Sequence, residues 1–150
     1  MYTIEEYDKE KSKVLKYVLY KKRTKQEIKN KFSSSIESEM LNDIIDELEE
    51  IGYINDNEYI KRSINDFIKL NNMSLKEVRY KLMAKGISND LIDDYMQENA
   101  EMLEDYEIES AKKIIIKKQN QMEEDELIKY LLKKGYQTSN IRQAIEKMDE

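Results

Sequence analysis

The side chains that could do chemistry here are the charged ones, because the 150-residue chain contains no histidine and no cysteine. That removes the commonest general base and metal ligand, the thiolate nucleophile and any disulfide. The carboxylates form no ligand frame. Asn55-Asp56-Asn57 begins like a calcium loop but lacks the glycine and the distal glutamate at their spacing. Asp93-Asp94 is an isolated pair on an acidic helix, and no glycine-rich phosphate loop is present. No catalytic, cofactor-binding or metal-ligating set is therefore assigned, and the expectation is a protein that is not an enzyme. The cations are what remains. Lys61, Arg62, Lys69, Lys76, Arg79, Lys81 and Lys85 form a basic stretch suited to acidic groups of a protein partner or to nucleic-acid phosphates. The plainer reading is a solvated helix face, with Glu77 and Lys81 as an i,i+4 pair. For Lys21, Lys22 and Arg23, cations at a helix end are the favoured reading.

Composition says what must position these groups. Proline is absent and glycine occurs three times, against averages of about 5% and 7%. So few breakers imply helices joined by short turns, in one domain at this length. The net charge of −6 disfavours nucleic-acid binding by the molecule as a whole. The distribution is striped: residues 11–31 hold nine bases and one acid, 37–58 nine acids, 61–85 seven bases and two acids, and 90–109 nine acids. No apolar run approaches the ~20 residues of a membrane span, and MYTIEEYDKEK lacks a signal core. A cytoplasmic location is expected.

The pattern is organised around residues 45–62, IDELEEIGYINDNEYIKR. Ile45, Leu48 and Ile51 share a helical spacing, Gly52 stops the helix, and Asn55 and Asp56 cap a restart at Glu58–Arg62. A first helix is predicted over Lys11–Lys22, with Val14, Leu15, Val18 and Leu19 inward. Thr24 with Glu27, and Ser74 with Glu77, read as capping boxes. Helices follow over 37–50, 56–70 and 74–85. Ser88 caps another, and a helix bearing Ile108, Ala111, Ile114 and Ile115 runs over 107–118. The last two run over 123–134 and after Thr138 or Ser139. Whether the chain breaks between Asn99 and Asp105 is left open.

An internal repeat underlies this order. SLKEVRYKLMAKGISNDLIDDYM from Ser74 aligns with EEDELIKYLLKKGYQTSNIRQAI from Glu123. Val78 falls on Leu127, Leu82 on Leu131, Lys85 on Lys134, Gly86 on Gly135, and Ile92 on Ile141. TKQEIKNKFSSSIESEMLNDII from Thr24 is a first copy without the glycine, so its turn must differ. Three copies of about 50 residues predict an all-α fold. They would form three tandem three-helix repeats, at about 11–54, 55–100 and 104–150, in an elongated, curved array. Tyr53, Tyr59 and Tyr136 are expected to be half-buried packing residues, and Gly52, Gly86 and Gly135 backbone stops.

These residues resemble the RecX family of bacterial recombination regulators. The likeness rests on Leu48, Gly52, Tyr53, Ile54, Asp56 and Tyr59 in ELEEIGYINDNEYIKR. It continues through Leu82, Lys85, Gly86 and Ile87 in SLKEVRYKLMAKGI and through LIKYLLKKGYQTSNIRQAI, so it spans about Val14–Met148. Ser33–Ser35 depart from the family's glycine-bearing turn, and lysine largely replaces arginine. The resemblance implies a cytoplasmic protein that binds the RecA filament and modulates, usually inhibits, its ATPase and recombinase activity; as a repeat array with its own terminal copies, the chain is expected to be a monomer. It would act in DNA repair and control of the SOS response. Contact with the filament's DNA is a further option; a membrane or small-molecule substrate is not implied. The alternatives are a DNA-binding regulator using a helix-turn-helix pair, and a helical adaptor with an unrelated partner.

Overall fold

The computed structural model describes residues 1–148, and among these every regular element is helical. The helices are α1 (Ile4–Tyr20), α2 (Lys25–Phe32), α3 (Ser38–Ile51), α4 (Asp56–Leu70), α5 (Leu75–Ala84), α6 (Asn89–Glu98), α7 (Ala100–Lys118), α8 (Glu124–Lys134) and α9 (Thr138–Met148). They close three separate apolar cores, one for each consecutive trio of helices. Val14, Ile28, Ile44 and Leu48 lie in the first, Ile60, Val78, Leu82 and Ile92 in the second, and Ala111, Leu127, Leu131 and Ile141 in the third. The aligned positions Ile28/Val78/Leu127, Phe32/Leu82/Leu131 and Leu41/Ile92/Ile141 are buried in every copy. The repeat in the sequence is therefore a repeat in packing.

Local chemistry sets the helix ends. Thr24 and Ser74 each accept the N–H three residues on, and Glu27 and Glu77 return the bond to the cap backbone. Thr3 and Glu6 make a third such box, so α1 begins at Ile4 rather than at Lys11. Asn99 ends α6 and precedes Ala100 of α7, which settles the break left open by the sequence. The last helix takes in both Thr138 and Ser139, with Gln137 at its entrance.

Several inward expectations fail. Leu19 and Ile51 are 62% and 58% exposed. Tyr136 is fully buried rather than half-buried, because its hydroxyl finds Ser110 Oγ at 2.7 Å inside the core.

Successive repeats are joined by the same small set of bonds. The Thr24 hydroxyl donates to the Lys85 carbonyl at 2.6 Å, and the Ser74 hydroxyl to the Lys134 carbonyl at 2.7 Å. The first free N–H of α2, on Lys25, reaches Asp56 of α4 at 2.9 Å; that of α5, on Leu75, reaches Glu107 of α7 at 2.8 Å. Both acids satisfy donors that a helix N-terminus otherwise leaves open. The glycine after each lysine is where the repeats touch. A Cβ on Gly86 would sit 2.4 Å from Gln26 Cβ, and one on Gly135 2.7 Å from Lys76 Cβ. The first copy's turn meets no earlier repeat of this chain. It closes through Ser35 and Ile36 N–H bonds to the Phe32 carbonyl, and serines suffice there.

Candidate functional site

A cleft of about 550 Å³ opens where repeats 1 and 2 meet. Lys21, Lys22 and Arg23, in the link between α1 and α2, form one lip. Arg62 and Lys69 of α4 form the other, and Gly52, Tyr53 and Asn55 of the connector lie between. The architecture supplies this juxtaposition. α1 ends at Tyr20, and its C-cap Lys21 turns into extended backbone, with φ −158° and ψ 143°. The triplet thus begins at the C-cap of α1, as the helix-end reading has it, and runs on in extended backbone outside the last turn. Arg23 lies over the Tyr17 ring, 4.1 Å from its centroid, and Tyr17 packs edge-on against Phe32. That stack holds the guanidinium against the first core.

The electrostatics are unbalanced. Among the described residues, none of the five cations forms an ion pair, and the buried Nε of Arg23 has no hydrogen-bond partner. The acids lining the cleft are Glu58 and Asp66, so five cations face two carboxylates. Tyr53 is 42% exposed rather than half-buried, because Ile54, and not its neighbour, turns into the first core. Tyr59 is half-buried beside it, and burial raises its hydroxyl pKa. Such a surface attracts and orients anions.

The structure divides the basic stretch. Arg62 and Lys69 join the cleft. Lys76 and Arg79 lie in a separate hollow with Met96, Leu103 and Gly135. There Arg79 is committed to Asp93 of α6 and to the Met96 sulfur, and the Lys76 stem packs on Gly135. Lys85 caps α5 and gives its carbonyl to Thr24. Lys61 and Lys81 are exposed. The expected Glu77–Lys81 pair is replaced by Glu77 with Lys134 of repeat 3, at 3.7 Å.

One acid escaped the sequence reading, and the role of another is corrected. Glu107 is completely buried and accepts from Leu75 N–H at 2.8 Å and from Gln137 N–H and Asn140 Nδ2 at 2.9 Å. Asp56, read as a cap of its own helix, instead serves α2; Asn55 does the capping, accepting from Glu58 N–H. The carboxyl pKa of Asp56 is raised, chiefly because burial strips it of water, with the Lys25 bond opposing.

No protein-family model matches the chain. Curated relatives do. Regulatory protein RecX of Staphylococcus carnosus is 30% identical over 139 residues, covering 90% of this chain and 52% of that protein. Regulatory protein RecX of Finegoldia magna is 35% identical over 85 residues, covering 56% and 42% respectively. The chain spans about half the length of these relatives. Among solved structures, RecX from Lactobacillus salivarius superposes with a TM-score of 0.81 at 21% identity, over 98% of this chain and 99% of that one. A second regulatory protein RecX gives 0.76 at 24% identity, over 93% and 73%. At these identities the superpositions establish the fold.

Proposed function

The chain belongs to the RecX family, and we propose that it docks on the RecA nucleoprotein filament and restrains its ATP hydrolysis and strand exchange. The observation that supports this reading is the cleft of five unpaired cations contributed by two repeats. A regulator that works by docking needs charge held ready and no reactive group. Docking of this kind in a filament groove hinders extension without chemistry by the docked protein, so the reading is of a non-catalytic regulator in the cytoplasm. No helix among the described residues is long and apolar enough to cross a membrane.

The helix-turn-helix alternative is less well supported. The arginine of α5 that would read a base, Arg79, is tied to Asp93 of the next helix.

The test is ATP hydrolysis by RecA on single-stranded DNA, with this protein titrated in below one molecule per RecA. Inhibition is expected, and it should weaken as salt screens the cleft. The Lys22→Glu/Arg62→Glu/Lys69→Glu variant should need at least about tenfold more protein for the same effect, a loss on the order of 1.4 kcal/mol. Equal potency of this variant at unchanged helicity would remove the cleft from the docking surface. No inhibition by the parent would remove the filament reading itself.

A further inference from the structure

The two lips of the cleft carry the same sign of charge and belong to different repeats. The direct bonds across that junction are few: Thr24 to the Lys85 carbonyl and Lys25 N–H to Asp56. The next junction has the same two bonds and more. Tyr106 and Ser110 both donate to the Met73 carbonyl, at 2.7 and 3.3 Å, and Lys134 approaches Glu77 at 3.7 Å. Its acid, Glu107, is also fixed by two further donors from repeat 3, whereas Asp56 accepts a single bond. Repeat 1 is thus held to repeat 2 more lightly than repeat 2 to repeat 3, and cations facing each other across the gap oppose its closure.

We propose that this cleft is a site for phosphoryl groups, and that filling it clamps repeat 1 onto repeat 2. Five cations against two acids leave a surplus of three positive charges, 5 − 2 = +3, which suits an anion bearing several charges better than a single carboxylate. The lysines are point charges that accept any oxygen geometry, and Arg23 adds a buried N–H with nothing to bind. Ser63, Asn55 and Asn65 line the same space, and the exposed Tyr53 ring offers a flat surface to whatever the phosphate is esterified to. The volume, about 550 Å³, falls within the range of roughly 300–1,000 Å³ usual for small-ligand sites. An anion lying between the lips cancels their repulsion and bridges both repeats. Binding and the angle between the repeats are then one equilibrium.

This inference rests on the cleft being the working surface, but its test contains no recombinase. The absence of cysteine allows clean double spin labelling at Ser34→Cys in repeat 1 and Asp94→Cys in repeat 2, both exposed. Inorganic triphosphate is titrated into the full chain by calorimetry, and the inter-label distance distribution is recorded with and without it. Saturable one-to-one binding and a narrowed distribution are expected. Lys22→Ala/Lys69→Ala should raise the Kd at least about tenfold with unchanged circular dichroism, while Lys117→Ala/Lys133→Ala in repeat 3 should not. Competition then identifies the phosphate's source: displacement by ATP points to a free nucleotide, and displacement by an oligothymidine to a strand. Either supports the site; displacement by neither overturns it. So do absent binding and binding indifferent to the Lys22/Lys69 pair. Binding with an unchanged distribution overturns the clamp. Failure here with intact filament inhibition leaves the proposed function standing, and the reverse result would sink the filament reading alone.

Discussion

Three glycines with nearly the same backbone geometry allow the repeat contact to be separated from backbone strain. Gly52, Gly86 and Gly135 have φ of 103°, 87° and 104°, so alanine at each meets the same left-handed penalty, about 1–2 kcal/mol. Around Gly52 nothing lies within 4 Å of an added Cβ, and the cost should stop there. At Gly86 the methyl group would overlap Gln26 Cβ and Cγ, at 2.4 and 2.7 Å. The first of these atoms is anchored to the α2 backbone and cannot swing away. Either the helix shifts, at an overpacking cost of about 1–3 kcal/mol, or the junction opens and the adjacent Thr24–Lys85 bond is lost, at about 1 kcal/mol. The cheaper route sets the outcome, so Gly86→Ala should cost about 2–3 kcal/mol in urea unfolding, and Gly52→Ala only the strain of about 1–2 kcal/mol. Adding Gln26→Gly removes the clash but not the strain. In the double-mutant cycle it should recover at least about 1 kcal/mol of the Gly86→Ala loss beyond additivity. A Gly86→Ala cost equal to that of Gly52→Ala, with no coupling to Gln26, would show that the repeats do not meet at this glycine.

Other outcomes follow from the acids and the core. The pKa of Asp56 is raised in the fold, so the folded protein holds that proton more tightly than the unfolded chain, and the group favours folding as pH falls toward the ordinary Asp range. Asp56→Asn, which keeps an acceptor for Lys25, should match or exceed the parent in thermal stability at about pH 7 and lose that advantage near about pH 4. Asp56→Ala should cost about 1 kcal/mol throughout. Glu107→Ala strands three N–H donors and should lower stability by about 4 kcal/mol, measured by denaturant unfolding; a loss under about 1 kcal/mol would mean that water replaces the carboxylate. Leu82 is 1% exposed, and Leu82→Asp should abolish the cooperative melt of repeat 2, whereas a parent-like calorimetric transition would place Leu82 outside the core.

What the sequence disclosed is what depends on near neighbours. The capping boxes at Thr24 and Ser74, the lysine–glycine stops and the i,i+4 core residues are all local patterns, and they lie where the spacing put them. The box at Thr3 and Glu6 has the same spelling, but its helix begins with exposed Ile4, so no core stripe follows it at once to mark a helix start. Glu107 could not be distinguished from the eight other acids of 90–109, since only tertiary packing decides which carboxylate faces a helix end. The cleft was illegible for the same reason. Its two lips lie some forty residues apart in sequence, and neither Lys21–Arg23 nor Arg62 signals the other.

The way the repeats join also bears on whether molecules of this protein can stack end to end. A contact that relates each unit to the next by one operation, and does not close on itself, is in principle open-ended and prone to fibre growth. The third repeat interrupts it. Where Thr24 and Ser74 stand in the earlier copies, α8 has Glu123, whose side chain makes no capping bond, followed by Glu124, Asp125 and Glu126. A second molecule offering a carbonyl and a carboxylate, as Lys85 and Asp56 do, would meet four negative charges and no hydroxyl donor. The acidic start of α8 thus lacks the hydroxyl on which both earlier junctions rest, and its charges oppose a third contact of the same kind.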